Sequence, residues 1–436
     1  MPKIEFSRKS KTSIGHACRT WLAVLLFLAA VHPLRASIIV EGIIEDYASG
    51  ESLPYAQIVV SGRGAGTVSN GDGAFVLHLP ETFYFDTIVF RYVGYGTQRM
   101  AIASLQGPLV VRLKPETVSL QAVLIRADAA DDLLARAIER IPQNHDARPL
   151  RQTGFYRLVS TEADTVIQLS EAVFDVYRPG MNAETKPLGD AQFRLRRNRG
   201  ERDNSPYKGQ GKVMFGMRPQ GVLAYDFVRD VQASDIFGRK GRKRHTWTLE
   251  GLDIRADRPV WRVAFDQKPG QKRALYRGVL YLDTATLAFA GLDAALSPRG
   301  LRYHKTGSLP ERMLMEALAL TITTTYDSIH ITYQALRGHW YFADMHLIDN
   351  NTIRDDRVPY TVRVASEVRY VTTQLDTAAF PFPSEDVLGR STFIENVDSP
   401  DDPGFWQGWN VVPWEKSFLD EAARIRERNA AMEAEE

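Results

Sequence analysis

Between residues 246 and 372 the chain is a series of short runs rich in β-branched and aromatic residues, most of them separated by only a few residues of turn chemistry. That spacing constrains the fold more than any other feature, because it reads as strands joined by hairpins. The strand candidates are 246–254, 259–266, 274–283, 286–296, 317–326, 328–336, 340–348 and 360–372. Asp283-Thr284-Ala285-Thr286 and Tyr326-Asp327-Ser328 are the expected hairpin connections, and Arg337-Gly338-His339 separates two further strands. Alternation such as His330-Ile331-Thr332-Tyr333 predicts one buried and one wet face. The expectation is a long antiparallel meander.

Residues 37–126 repeat the all-β pattern on a smaller scale. Runs at 38–46, 56–61, 74–79, 87–92, 109–113 and 122–125 are broken by Ser49-Gly50 and by Asn70-Gly71-Asp72-Gly73, residues that tolerate positive φ. Phe75, Leu77 and Leu79 share one face. The pattern indicates a seven-strand-type β-sandwich. The runs Val40-x-Gly42-x-Ile44-x-Asp46, Gly50-x-x-Leu53-Pro54-x-Ala56-x-Ile58, Gly66-Thr67-x-x-Asn70-x-Asp72-Gly73-x-Phe75, Phe90-x-Tyr92-x-Gly94-Tyr95 and Leu120-x-x-Val123-x-Ile125 resemble the carboxypeptidase-regulatory-like domain. That resemblance implies a transthyretin-like sandwich, a spacer or docking module without catalytic residues of its own. Such domains are common in exported proteins of Bacteroidetes-type bacteria, where they often precede the plug of energy-coupled outer-membrane transporters.

The N-terminus fits export. Lys3, Arg8, Lys9, Lys11 and Arg19 precede an apolar core at 21–31, too short to span a bilayer and suited to a secretory signal cleaved after Ala36. A retained N-terminal anchor is the alternative. Cys18, the one cysteine, precedes that core and is misplaced for lipid attachment. A cleaved chain then has neither disulfides nor thiolate metal sites. No later stretch reads as a membrane helix. The 44% hydrophobic and 25% charged composition excludes wholesale disorder, and the net charge of +1 offers no general attraction to nucleic acid or membranes.

Between the two β regions, Asp131-Asp132 can cap a helix reaching Ile141, with Leu133, Ala137 and Ile141 on one face and Pro142 as its stop. The order of this helix, Ile-Pro-x-Asn, Gly154-Phe155-Tyr156-Arg157 and Glu171-Ala172 is similar to a segment of uncharacterised Bacteroidetes envelope proteins. Gly278-Val279-Leu280-Tyr281-Leu282-Asp283 followed by Leu287-Ala288-Phe289-Ala290 resembles the curved sheets of periplasmic lipoprotein carriers, whose concave face holds acyl chains. In the tail, Phe405-Trp406, Trp409 and Trp414 either pack back on the meander or dock a partner or bilayer surface. Residues 416–436 form a charged helix with Phe418, Leu419, Ala422 and Ile425 as its apolar stripe.

Residues 191–245 hold fourteen Lys/Arg against five Asp/Glu. Arg194, Arg196, Arg197 and Arg199, with Arg239, Lys240, Arg242, Lys243 and Arg244, are the anion-binding candidates for anionic lipid or glycan; otherwise they are solvated loops flanking a hairpin. Export argues against nucleic acid. Catalytic, cofactor and metal residues are expected to be none. Gly62-Arg63-Gly64-Ala65-Gly66 opens no helix, as a phosphate loop must. His78 and Glu81 have the spacing of a zinc pair but lie where a strand ends at Pro80. By strand parity His339 faces away from Asp344 and His346. No G-x-S-x-G elbow occurs.

The chain therefore reads as mostly β: signal peptide 1–36, sandwich 37–126, short helix and linker 127–150, antiparallel β-rich domain 151–380, and aromatic tail with terminal helix 381–436. The expected function is a non-enzymatic, periplasmic or outer-membrane-associated module that docks a partner or binds an envelope protein, lipid or glycan. The alternatives are an envelope hydrolase with its site in the β-rich domain, marked by a pocket of clustered Asp, Glu or His, and an assembly accessory of an outer-membrane machine.

Overall fold

The computed structural model describes residues 37–116, 129–180, 191–204, 217–255, 257–307, 309–355, 361–389, 397, 402–415 and 418–435. The signal, Cys18, Ala36 and the 122–125 strand lie outside them. Seven strands form the first unit: β1 (Ser37–Asp46), β2 (Gln57–Val60), β3 (Gly66–Val68), β4 (Ala74–Pro80), β5 (Thr87–Arg91), β6 (Gln98–Ala101) and β7 (Leu109–Leu113). They make two sheets, β4-β1-β7 and β3-β2-β5-β6. Alternate residues Ile44, Ile58, Leu77, Ile88 and Phe90 fill the space between them, as the period-2 geometry of strands requires. The turn before β4 depends on Gly73, whose φ is +76° and whose Cβ, if present, would lie 2.6 Å from the Ile44 carbonyl oxygen. The sheets are not wholly antiparallel, since β7 runs parallel to β1.

Two helices follow, α1 (Ala129–Glu139) and α2 (Ile141–Asn144). Pro142 does not simply stop the first helix but opens the second, where its missing N–H goes unneeded. Then β8 (Leu150–Glu162), β9 (Thr165–Arg178) and β10 (Gln192–Arg202) form hairpins, and the chain crosses through α3 (Arg239–Arg244) to β11 (His245–Arg255). The meander continues with β12 (Arg258–Gln267), β13 (Tyr276–Asp283), β14 (Phe289–Leu296), two helices α4 (Pro298–Leu301) and α5 (Leu309–Ala317), then β15 (Leu320–Leu336), β16 (His339–Asp355) and β17 (Thr361–Asp376). The ten strands form one sheet in the order β10-β9-β8-β17-β16-β15-β14-β13-β12-β11, every pair antiparallel.

The expected break at Tyr326-Asp327-Ser328 does not exist. β15 runs straight through it, with Asp327 opposite Asp349. A two-residue hairpin needs positive φ. Arg337 and Gly338 supply it between β15 and β16, at φ 50° and 86°, whereas residues 326–328 do not. Residue 317 belongs to α5, not to a strand. The strands β8 to β10 went unmarked by the sequence pattern because polar Gln168, Ser170, Glu171 and Asp175 interrupt the apolar run of β9 yet are fully buried.

One face of the large sheet carries the main core. Tyr156, Phe174, Ile331, Met345, Leu347 and Tyr370 pack there beneath α1 and the crossing segment, which contributes Val222, Leu223, Phe227 and Phe237. The opposite, outer face is covered by the tail and the first unit. The tail adds α6 (Pro403–Gly408) and α7 (Phe418–Glu435). Trp406 joins Val68, Phe155, Val173 and Val371, and Phe418, Ala422 and Ile425 pack on Leu169. Leu419 is exposed rather than part of the stripe. Among the described residues no helix is long and apolar enough to cross a membrane.

Candidate functional site

The glycine-rich turn between β2 and β3 is a docking device. A Cβ on Gly64 would lie 2.7 Å from both the Cβ and the carbonyl oxygen of Leu375, so only glycine allows this approach. The Leu375 N–H donates to the Gly64 carbonyl at 2.6 Å. Gln57 Nε2 donates to Thr332 Oγ1 at 2.9 Å, and the Asn410 side chain bridges the His78 backbone N–H and carbonyl. These contacts hold the first unit over the outer face of the sheet and leave a cavity of about 300 Å³ between them.

Strand alternation sets the floor of this cleft. In β15, Ile331 packs in the core, so His330 and Thr332 point outward and line the cleft. In β16 a bulge between Phe342 and Asp344 reverses the alternation: Trp340 and Phe342 face the core before it, Met345 and Leu347 after it. Asp344 and His346 thus both line the cleft. Parity counted across the bulge fails, so the sequence argument that separated His339 by face does not hold; His339 is nevertheless not a lining residue. Among the described residues no group of three His, Cys, Asp or Glu is placed to hold a metal.

The roof comes from the first unit, with Tyr55, Gln57, Arg91 and Tyr92. Tyr55 sits in the left-handed region at φ 63°, a costly conformation for an aromatic residue. Its ring lies 3.6 Å from the Arg369 guanidinium and 5.3 Å from the His346 ring. Burial pushes its hydroxyl above the usual range.

The charges are arranged around two carboxylates. Asp293 accepts from His330 Nδ1, from Arg255 Nη2 at 2.8 Å and from the Tyr281 hydroxyl at 2.8 Å. Burial alone would raise its pKa, but the His330 bond, the Arg255 charge and the Tyr281 bond together hold it well below the ordinary carboxylate range. Asp344 lies 3.6 Å from Arg369 Nη1, and His346 Nε2 is 2.7 Å from Glu367. Burial draws the Arg91 guanidinium below its usual range, against the opposing pull of Asp257.

Several buried groups find no partner. Nε and Nη1 of Arg255 and Nε of Arg91 have no hydrogen-bond acceptor; Nη2 of Arg369 and Oδ2 of Asp344 make no hydrogen bond, only longer ion pairs, to Glu367 at 3.8 Å and to Arg369 Nη1 at 3.6 Å. The Arg255 and Arg369 side chains are only 8% and 5% exposed. Leaving buried hydrogen-bonding groups unpaired costs about 1–3 kcal/mol each, so such a concentration in one cavity marks a place where water or a ligand completes the bonds.

The basic residues singled out from sequence lie elsewhere. Arg194, Arg196, Arg197 and Arg199 are on β10, one edge of the large sheet, and are already engaged. Arg194 and Arg196 pair with Asp175, Arg197 with Asp402 and Arg199 with Glu171. Aromatic rings cover them: Arg196 lies over Trp409, Arg197 over Phe405 and Arg199 over Trp406. Arg239, Lys240, Arg242, Lys243 and Arg244 form α3, beside the opposite edge strand β11. The two clusters are thus not one surface, and neither lines the cleft. The cleft residues Arg91, Arg255, Asp293 and Arg369 went unremarked in the sequence. The signals were the alternation at 330–333, which announced a wet face but not what covers it, and Asp344 and His346, singled out as sharing a face and both found in the cleft.

Comparison with known proteins gives the following. TonB-dependent receptor SusC of Bacteroides thetaiotaomicron is 23% identical over 236 residues, which is 50% of this chain and 22% of that receptor; the chain thus matches less than a quarter of that relative's length. A DUF1329 family protein from Desulfovibrio piger superposes at TM-score 0.25 and 11% identity, covering 58% of this chain and 95% of that one. A LolA superfamily protein from Nitrosomonas europaea does so at 0.21 and 8%, covering 58% and 94%. At such scores the likeness decides neither fold nor function. Residues 40–125 match the CarboxypepD_reg-like domain family, and the first unit of this chain is a domain of that kind.

Proposed function

We propose that this chain is a non-enzymatic protein of the cell envelope whose working part is the cleft between the first domain and the outer face of the ten-stranded sheet, and that the cleft takes an anionic ligand. One observation carries this reading: two buried guanidinium groups, Arg255 and Arg369, line the cavity with N–H donors that make no hydrogen bond, Arg369 Nη2 facing Glu367 only at 3.8 Å. Guanidinium is the side chain best suited to carboxylate, sulfate and phosphate. The exported location is supported by the basic segment and apolar core before Ala36 and by the match to a TonB-dependent receptor. It is checked by mass spectrometry of the native protein, where an intact Met1 would count against it.

The test of the binding reading uses inorganic sulfate at fixed ionic strength. A ligand that binds only the folded state raises the melting temperature with its concentration. The expected outcome is a rise in the intact protein that is lost in Arg255→Met. Equal rises in both would place the sulfate elsewhere and sink the reading.

The hydrolase alternative keeps one specific support. The cleft does hold clustered acid–base groups, and Asp293 bonds His330 Nδ1, the arrangement that orients a general base. No serine or cysteine is among the described cleft residues, so a hydrolase here would use a carboxylate such as Asp344, the Thr332 hydroxyl or an activated water. Turnover of glycosyl, phosphoryl or acyl reporter substrates, abolished by His330→Ala, would establish it in place of the binding reading.

A further inference from the structure

We propose that the ligand of this cleft is an acidic saccharide, a sugar chain bearing a uronate, held with its carboxylate against Arg255 and its hydroxyls on Asp344 and beside Arg369. This rests on the cleft being the ligand site. The unpaired groups are of two kinds. The free donors on Arg91 and Arg255, with Arg369 Nη2 held only at 3.8 Å from Glu367, call for acceptor oxygens, and Oδ2 of Asp344, whose nearest donor is Arg369 Nη1 at 3.6 Å, has room to accept a hydrogen bond. A bare phosphate diester or sulfate ester supplies acceptors only. A sugar acid supplies both, since each hydroxyl donates as well as accepts. The carboxylate plane also suits the guanidinium fork.

The walls agree. The Tyr55 and Tyr92 rings offer flat apolar surface beside these polar groups, the mixture of aromatic walls and a few placed polar groups expected of a small-molecule pocket. Through Asp293, His330 and His346 the cavity continues into a second, more open one of about 630 Å³, bordered by Glu250, Arg277, Gly278, Ala295 and Ser328. That shelf mixes charged and small side chains with Phe265, Val279, Tyr326 and Ile329, and its open, mixed border leaves room for a hydrated chain leaving the cleft. Among the described residues the apolar face of the sheet is filled by Phe227, Phe237, Trp247, Phe265 and Phe289, packed ring against ring, which leaves no room there for an acyl chain.

The experiment is calorimetric titration of the intact protein at fixed ionic strength with trimers of galacturonate and mannuronate, with galactotriose, with phosphatidylglycerol vesicles and with inorganic phosphate. The expected result is binding of a uronate trimer, weakened about tenfold or more by Arg255→Met and by the rim substitution Tyr92→Ala, and at least as much weaker for galactotriose, each tenfold being about 1.4 kcal/mol. Asp344→Asn should weaken charged and neutral sugars alike. Unchanged near-ultraviolet circular dichroism confirms that the variants remain folded; Tyr92→Ala, outside the ion-pair network, keeps the test open if the arginine variant does not. Binding of phosphate or vesicles without either uronate would overturn the saccharide assignment and leave the anion cleft standing. Binding of none of the probes would overturn both.

Discussion

Two sets of arginines lie against the outer face of the same sheet and have opposite fates. Under the tail, Arg157 and Arg199 share the fully buried Glu171, whose carboxylate also accepts from Trp414 Nε1 at 2.7 Å. Arg194 and Arg196 share the equally buried Asp175, which Thr153 also serves. In the cleft, Arg255 and Arg369 keep donors to spare. The first set is a closed arrangement in which each carboxylate is ringed by donors and roofed by aromatic side chains. The second is open, and its cavity lies where the first domain bridges rather than packs. Density of positive charge along the chain therefore marks the structural set, while sparse arginines on distant strands mark the candidate site.

Breaking the closed set should produce the largest effect. Glu171→Gln leaves the buried Arg157 and the partly buried Arg199 without their counter-charge, and loss of one partner of a buried pair costs about 3–5 kcal/mol. Urea unfolding should show that loss, and a change under about 1 kcal/mol would mean that the tail is not closed as described.

Next comes the seating of the first domain, without which the open set has no roof. Gly64→Val forces a Cβ into the Leu375 backbone, a strain of about 1–3 kcal/mol. The expected readout is faster proteolysis between the domain and the sheet and loss of sulfate-dependent stabilisation. Retained stabilisation would show that the cleft does not need its roof.

A smaller, pH-dependent effect belongs to Asp293. Its carboxyl is held below the ordinary value of 3.8, so its contribution to stability is present above about pH 4 and is lost as pH falls toward the folded-state value. Because the side chain is partly exposed, Asp293→Asn should cost only about 1 kcal/mol at pH 7. The difference from the unmodified protein should shrink below pH 4. A difference that persists at acid pH would assign the loss to packing instead.

The smallest stability effect is expected at Arg255. Asp293 keeps its bonds from His330 and Tyr281 when Arg255 is replaced, and methionine removes donors that were unpaired. Arg255→Met should thus change stability by less than about 1 kcal/mol while abolishing anion binding. A loss as large as that of Glu171→Gln would erase the contrast between the two sets.

Much of the architecture was readable along the chain. The turn at 70–73, the alternation of β4 and the hairpin at 337–338 are local properties, in which each residue's φ preference and side-chain face are settled by near neighbours. The mostly β character, the regulatory-like domain and the terminal helix follow from such signals. Reading failed where distant residues decide. β9 carries Glu171 and Asp175 in its middle, polar residues that belong in a strand only because Arg157, Arg196 and Arg199 arrive from its neighbours. Asp327 resembles a turn residue until Tyr276 is seen to donate to it from β13, at 2.8 Å. The bulge at 343 inverts the face of everything beyond it. The cleft is assembled from β2, β5, β11, β14, β15, β16 and β17, elements from two separate units of the chain. The sequence by itself thus determined most of the strands of the first unit and of the meander from 246 onward and, short of a bulge, which face of each is apolar, because those depend on spacing over a few residues. Which polar face is covered, and which buried charges lack partners, was decided only by the tertiary structure, because both depend on groups far apart in the chain meeting in space.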